Sequence, residues 1–277
     1  MKIISWNINS LRLRLDLLAK LAQESAAEVI CLQETKVADE FFPQEEIRKI
    51  GFPFLEFSGE KSYNGVAILS KKPLKNSRII DVLDYGHRRH INAELQFGDI
   101  LLDLHNFYVP AGGDLPDRNQ NWKFDHKLKF VDWMAEFFEN YAARNPDKSE
   151  NFHKKTEYGQ VILGDFNIAP LPNDVWSHQQ MLKIVSHTEI EVEKLNNLLH
   201  KGNFIDSHRF FIDHHEKLYS WWSYRAKEPL VSNRGRRLDH IWVSQNLKNH
   251  LKSVKLYTNF RLENQPSDHI PIELEIS

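Results

Sequence analysis

Residues 2–34 read KIISWNINSLRLRLDLLAKLAQESAAEVICLQE, and the order of patterns along them decides the fold. KIISWNI is rich in β-branched and aromatic residues, the composition of a strand. Leu11, Leu15, Leu18 and Leu21 then recur at helical spacing, and the apolar run from Val29 to Leu32 reads as a second, buried strand. Strand, helix, strand is the opening of an α/β unit. Each strand runs into polar side chains at one end, Asn7 and Asn9 after the first and Gln33 and Glu34 after the second.

The same reading extends outward along the chain. VAIL (66–69), INAEL (91–95), ILLDLHNFYV (100–109), VILGDF (161–166), LDHIWVS (238–244) and IPIELEI (270–276) are further strand candidates. Phe124, Leu128, Val131, Met134, Phe138 and Tyr141 form one amphipathic helix. Glu189 to Leu199 forms another, with Thr188 as its N-cap and Glu191 as capping-box partner. Strands outnumber helices and several follow one another directly. That predicts an α/β (α+β) protein with two sheets packed face to face and helices outside. Asn145 to Gln160 is polar and reads as a surface loop, so residues 1–277 are expected to form a single domain.

Composition narrows the function. The 277 residues carry Lys+Arg 36 against Asp+Glu 38, a net charge of −2, so no global basic field draws the protein onto a polyanion. The only cysteine, Cys31, lies in an apolar strand and excludes a disulfide framework or a cysteine-based zinc site. No apolar run is long enough to span a membrane, and the N-terminus enters a strand instead of a signal peptide, so a cytoplasmic, non-membrane protein is expected. Polar residues cluster at strand ends: Gly164-Asp165-Phe166-Asn167, Arg237-Leu238-Asp239-His240 and Ser267-Asp268-His269. Oxygen donors of this kind suit Mg²⁺, with Mn²⁺ as substitute, and the reaction they suggest is metal-assisted phosphoester hydrolysis.

SWNINSLR, LQETK, YNGVAIL, NFYVP, GDFNIAP, RRLDHIWVS and SDHIP occur in this order across almost the whole chain. Together they closely resemble the exonuclease III family of apurinic/apyrimidinic endonucleases, within the endonuclease–exonuclease–phosphatase superfamily. The resemblance implies a four-layered, DNase I-like α/β sandwich and a Mg²⁺-dependent DNA-repair phosphodiesterase. Such an enzyme acts as a 3′–5′ exonuclease on duplex DNA and cuts 5′ to abasic sites, leaving 3′-hydroxyl ends. Its expected partner is double-stranded DNA, especially abasic or 3′-blocked DNA, and its expected state is a monomer. LQE, GDFN and SDH are shared with other phosphoesterases of the superfamily, so a nonspecific nuclease, a sphingomyelinase or a phosphoinositide phosphatase is the alternative. A catalytically silent DNA-binding module is a third reading.

By that resemblance, Glu34 is the principal metal carboxylate, Asp268 a second one, and Asn7 and Asn9 lie beside the metal. Asp165 activates the attacking water or protonates the leaving oxygen, and Asn167 steadies the phosphate. Asp239 and His269 are a pair in which the carboxylate orients the imidazole, and the metal set includes Asn7, Glu34, Asp165, Asn167, Asp268 and His269. Tyr108 is a phenol near the scissile phosphate, acting as hydrogen-bond donor or phenolate. Asn9, Lys36, Tyr63, Asn64, Trp221, Arg225, Arg236 and Arg237 are the DNA contacts, cations for phosphates and aromatic faces for an unpaired sugar or base. His87, His90, His105 and His240 read as structural, and Trp222 as core. One departure stands out: relatives often carry an amide where this chain has Ala111, which here precedes Gly112 and Gly113 and leaves a flexible loop.

Overall fold

The computed structural model describes residues 1–139, 141, 157–225 and 228–277. Its strands are β1 (Lys2–Asn7), β2 (Val29–Gln33), β3 (Phe54–Glu60), β4 (Tyr63–Ser70), β5 (Lys75–Ile79) and β6 (His90–Phe97). They continue with β7 (Ile100–Tyr108), β8 (Glu157–Asp165), β9 (Phe204–Asp206), β10 (Asp239–Ser244), β11 (Leu251–Leu256) and β12 (Ile272–Ile276). The helices used below are α1 (Leu15–Ser25), α2 (Gln44–Ile50), α3 (Trp122–Glu139) and α4 (Glu189–Lys201). One sheet runs β11-β12-β1-β2-β4-β3 and the other β5-β6-β7-β8-β10-β9. β1 pairs parallel with β2 and β7 parallel with β8, while the remaining neighbours are antiparallel.

Alternation along each central strand builds four layers. Ile3, Val29, Cys31, Val66 and Ile68 face inward and meet Leu102, Leu104, Val161, Leu163, Ile241 and Val243 of the opposite sheet. The intervening Ile4, Trp6, Ile30 and Leu32 face outward, against Leu18 and Leu21 of α1 and Ile47 of α2. Phe107, Ile162 and Trp242 likewise face out, against Phe130, Val131 and Met134 of α3 and Leu195 and Leu198 of α4. Both faces of each sheet are therefore dry. That explains why these strands read as nearly continuous apolar runs.

Four strands, β3, β5, β9 and β11, lie outside the sequence expectation, and each is an edge of its sheet. β5 is exposed along its whole length, KNSRI, and β11 is LKSVKL. Charged edges discourage pairing with another chain, and they also erase the alternating pattern that marks a strand. The expected surface loop at Asn145–Gln160 is corrected at its end, because Glu157–Gln160 belong to β8, paired with β7; residues 145–156 lie outside the described residues. The Thr188–Glu191 capping box is present, with Thr188 N donating to Glu191 Oε2 at 3.1 Å. Among the described residues no helix is long and apolar enough to cross a membrane.

Two details fix strand positions near the end of the inner layer, one within a sheet and one between the sheets. Gly164 has φ +135°, and a Cβ there would lie 1.9 Å from Phe107 O, so only glycine lets β8 close on β7 just before Asp165. Asn106 reaches across the layer from β7. Its Nδ2 donates to Leu32 O and Ala67 O, both at 2.9 Å, while its Oδ1 accepts from Gln33 Nε2 at 2.7 Å. A buried amide satisfied on this scale fixes sheet-to-sheet register, because any slip strands several polar groups in a dry interior. Asn106→Leu should lower the free energy of unfolding by about 2–4 kcal/mol through the unpaired Gln33 amide and lost bonds. Urea denaturation would measure it, and a loss under about 0.5 kcal/mol, the scale of an ordinary surface change, would remove the clasp from this account.

Candidate active site

The inward phase of the central strands does not stop where the apolar residues stop. Register places Tyr108 beside Asp165 and Asp165 beside Asp239, so three strands of one sheet present a polar row. On the other sheet Asn7 is aligned with Gln33, and Glu34 follows at once. The backbone turns sharply after each strand. Asn9, Ser10, Glu34, Lys36 and Asn167 all have positive φ, from 46° at Asn9 to 88° at Ser10. Side-chain-bearing residues pay for that conformation, so it persists where surrounding contacts hold it. Here Ile8 N bonds to Gln33 O and Ser10 N to Glu34 O, tying the two turns together.

One amide joins the sheets at this rim. Asn7 Nδ2 donates to Glu34 Oε1 and to Asp165 Oδ2, both at 2.9 Å. Glu34 Oε1 also accepts from the Tyr108 hydroxyl at 2.7 Å, and its Oε2 pairs with Lys36 Nζ at 2.8 Å. Asp165 accepts further bonds from Asn167 N at 2.9 Å and Asn167 Nδ2 at 3.0 Å. His269 Nδ1 lies 2.8 Å from Asp239 Oδ2, whereas its Nε2 is 3.7 Å from Asp165 Oδ2, too far for a hydrogen bond. Asp268 is held by Asn9 Nδ2 at 3.0 Å and by the Trp221 indole at 2.9 Å.

Protonation follows from this packing. Burial disfavours a charged His269, but the carboxylates of Asp239 and Asp165 outweigh it and push the imidazole up to about 10. Burial, reinforced by Asp239 and Glu34 and opposed by His269, pushes Asp165 up to about 7. Burial also works to raise Glu34, yet Lys36, Asn7 and Tyr108 hold it below the usual carboxylate range. Tyr108 is raised well above its ordinary value by burial and by Glu34, which makes it a neutral phenol that donates, not a phenolate. With no metal bound, His269 is an imidazolium and stands as a proton donor, while one of its ring nitrogens and oxygens of Asp165 and Asp239 lie within 4.8 Å of one another, a group able to hold a metal ion.

Glu34, Tyr108, Asp165, Asn167, Asp268 and His269 line a cleft of about 610 Å³ together with Ala111, Trp221, Arg225, Arg234 and Arg236. Arg236 lies 4.9 Å over the Trp221 ring, and Arg234 lies 4.7 Å over Trp176. Lys36 reaches Asn9 as well as Glu34, and Tyr63 is half-exposed, bonded to Arg89 at 3.1 Å. Two expected DNA contacts are corrected. Arg237 is 2% exposed and locked between Asp174 at 2.9 Å and Asp206 at 2.6 Å, so it is unavailable to a phosphate. Asn64 is 1% exposed, and its amide turns inward to Glu60 at 2.9 Å. The Ala111 loop, expected to be flexible, has its carbonyls tied down, Ala111 O by Lys127 at 3.3 Å and Gly112 O by Asn121 at 2.9 Å. The structural readings are matched by the contacts: His240 bonds Ile168 O, His90 bonds His105, and Trp222 is core.

Three positioning residues have no role in the sequence reading. Lys127 is fully buried, paired with Glu191 at 2.5 Å, and donates to Asn167 O at 2.7 Å, bracing the turn that follows Asp165. A lysine within the apolar stripe of α3 was the available signal. Arg89 lies 4.6 Å over the Tyr108 ring and donates to Tyr108 O at 3.2 Å. Ser267 Oγ donates to Asn7 O at 2.7 Å, anchoring the strand end that carries the shared amide.

The sequence pattern of the Endonuclease/Exonuclease/phosphatase family matches residues 4–269. The chain belongs to that family. Exodeoxyribonuclease III of Haemophilus influenzae is 33% identical to it, covering 99% of this chain and 99% of the relative. An exodeoxyribonuclease of Bacillus subtilis is 27% identical, covering 100% of both chains. Among solved structures, an AP endonuclease from Archaeoglobus fulgidus matches with a TM-score of 0.86 at 28% identity, over 100% of this chain and 99% of the other. A 3′ phosphatase from Neisseria bound to product DNA hairpin gives 0.87 at 29% identity, over 100% and 99%. The layered sandwich expected from the strand order is thus the fold of this Endonuclease/Exonuclease/phosphatase family member.

Its donor set fits a hard divalent cation. Glu34, Asp165, Asp239 and Asp268 outnumber the cations Lys36 and His269 that contact them, and Asp239 Oδ1 is buried with no hydrogen-bond partner. Crowded oxygen donors with surplus negative charge suit Mg²⁺ or Mn²⁺. The His269–Asp239 pair can be checked without any metal. In an NMR titration of metal-free protein, His269 should hold its proton until about pH 10. Asp239→Asn removes the main charge favouring the imidazolium and should move that midpoint toward lower pH. An unchanged midpoint would separate the two residues.

Proposed function

We propose that this chain, as a single domain over residues 1–277, is a Mg²⁺-dependent DNA-repair phosphodiesterase, with Mn²⁺ able to substitute. It trims 3′ ends of duplex DNA and cuts 5′ to abasic sites, leaving 3′-hydroxyl ends. The observation that carries this reading is Asp165, buried between Asn7, Asn167 and a charged His269, and sharing the Asn7 amide with Glu34. The curated relatives named exodeoxyribonuclease III and exodeoxyribonuclease, matched almost end to end, favour DNA over another phosphoester.

A phosphodiester is anionic and repels water's oxygen, so its charge must be offset before attack. Glu34, with Asp268 and the Asn7 carbonyl oxygen, would hold the metal, which supplies Lewis-acid neutralisation of that charge. The protein's own groups do the rest. Asp165, poised near neutrality, accepts the proton of the attacking water as the new P–O bond forms and the P–O3′ bond breaks, and that proton then passes to the leaving O3′, which becomes the 3′-hydroxyl. His269, whose Nδ1 side is occupied by Asp239, has its Nε2–H left to donate to a phosphate oxygen. Tyr108 and Asn167 hold the two carboxylates in place, and Asn9, Lys36, Tyr63, Trp221, Arg225 and Arg236 contact the DNA around them.

Purified protein should cleave abasic duplex and release nucleotides from the 3′ ends of intact duplex in Mg²⁺, and do neither in EDTA. Glu34→Gln and Asp165→Asn should each lower kcat by at least about a hundredfold while the fold, followed by circular dichroism, is retained. Folded protein inactive on both substrates in Mg²⁺ would defeat the proposal. Trp221→Ala should impair abasic cleavage more than hydrolysis of a small soluble phosphodiester. Equal loss on both would point instead to a general phosphoesterase.

A further inference from the structure

A band of aromatic rings runs away from the cleft on the Tyr108 side. Arg89 begins it, lying over the rings of both Tyr108 and Tyr63, at 4.6 and 5.4 Å. Tyr63 meets His87 edge-on at 5.6 Å, and Tyr85 lies 5.8 Å from His87 and 4.3 Å from His126. Trp122, at the start of α3, lies nearly parallel to His126 at 6.4 Å. The residues come from β4, from the segment before β6 and from α3, so the band is assembled by the tertiary fold and not by one local motif.

Its outer members are not core. Trp122 is 62% exposed, Tyr63 48% and Tyr85 47%, which leaves large ring surfaces open to solvent. Beneath them His87 Nδ1, His126 Nε2 and Arg89 Nε are buried without hydrogen-bond partners. Cations flank the rings. Arg118 and Lys129 pair with Asp125, whereas exposed Arg88 and Lys123 make no ion pair among the described residues. The band is also tied to the cleft at its far end, since Asn121, next to Trp122, donates to Gly112 O at 2.9 Å.

Exposed π faces with free cations beside them, continuous with a phosphodiester cleft, match the chemistry of unpaired nucleotides: rings for the bases, cations for the phosphates. We propose that Tyr85 and Trp122 form a stacking shelf for a short single-stranded DNA tail leading out of the cleft. The shelf would let the protein favour duplex ends that carry unpaired bases over blunt ends. This rests on the nuclease reading above, and it adds a substrate feature which that reading does not contain.

Three dye-labelled duplexes in EDTA test it by fluorescence polarisation: one blunt, one with a short thymidine tail, and one with an abasic tail of equal length. The thymidine tail should tighten binding at least about fivefold over the blunt duplex, the effect of one stacked base, and the abasic tail should not. Trp122→Ala and Tyr85→Ala should each bring the thymidine-tailed duplex toward the abasic-tailed value and leave blunt binding unchanged. Equal gains from both tails would mean that phosphates alone are read, and the shelf would be overturned. No gain from either tail, with normal blunt binding, overturns the shelf and leaves the nuclease reading intact. Absence of binding in EDTA together with absence of cleavage in Mg²⁺ on every duplex defeats both.

Discussion

The geometry of the site depends on one carboxamide. Asn7 closes the first strand of one sheet and gives its two amide hydrogens to Glu34, beside it, and to Asp165, across the inner layer. An amide can do this because its donors diverge in a plane, so two carboxylates can be held close without touching. Neither a hydroxyl nor an acid at this position offers two divergent donors. The carbonyl end is used too, accepting from Asn9 N at 3.1 Å, which fixes the plane of the group and curls the chain toward Asp268. Whatever displaces β1 relative to β8 therefore disturbs both carboxylates together.

Holding β1 against β8 is a matter of the whole inner layer. Its apolar residues supply the attraction but no exact register, since hydrophobic contact is not directional. The buried Asn106 clasp supplies the register, and Gly164 supplies the close approach of β7 and β8 on which the polar row depends. Outside that layer, the Lys127–Glu191 pair serves the turn instead of the sheet. A buried ion pair is a poor source of stability, because the desolvation of both charges offsets most of their attraction. Its value here is positional: Glu191 caps α4, holds Lys127, and Lys127 holds Asn167 O.

The central strands and the residues at their ends were legible because both follow one period. Inward positions alternate as Ile3, Ser5, Asn7 or Leu104, Asn106, Tyr108, and the polar ones fall where the apolar ones end. The edge strands were not legible, since solvent on one side and negative pairing demands on the other remove any alternation. Arg237 was misread for a different reason. In NRGRRLD it stands among cations and resembles a phosphate-binding run, but its partners Asp174 and Asp206 lie far off in sequence and meet it only after folding. Local charge patterns report composition, whereas burial of a charge is decided by distant residues. Tyr108 shows the same limit: its neutrality is set by burial and by Glu34 from the opposite sheet.

A protein with net charge −2 cannot attract DNA by its overall field, so the attraction must be local and must also be oriented. The cleft brings both signs of charge together. Arg225, Arg234 and Arg236 line it, and among the described residues none of them makes a salt bridge to a carboxylate; Glu34, Asp165 and Asp268 line it too. Under the proposed function, a phosphate backbone would be drawn to the arginines and repelled by the carboxylates until a cation sits there. Binding would then place one phosphate near the carboxylates, where charge neutralisation is required, while its neighbours rest on the arginines. The indole of Trp221 stands between two of these charges, beneath Arg236 and bonded to Asp268. It keeps the guanidinium from collapsing onto the carboxylate, and without that separation the two charges would cancel and the cleft would lose its polarity.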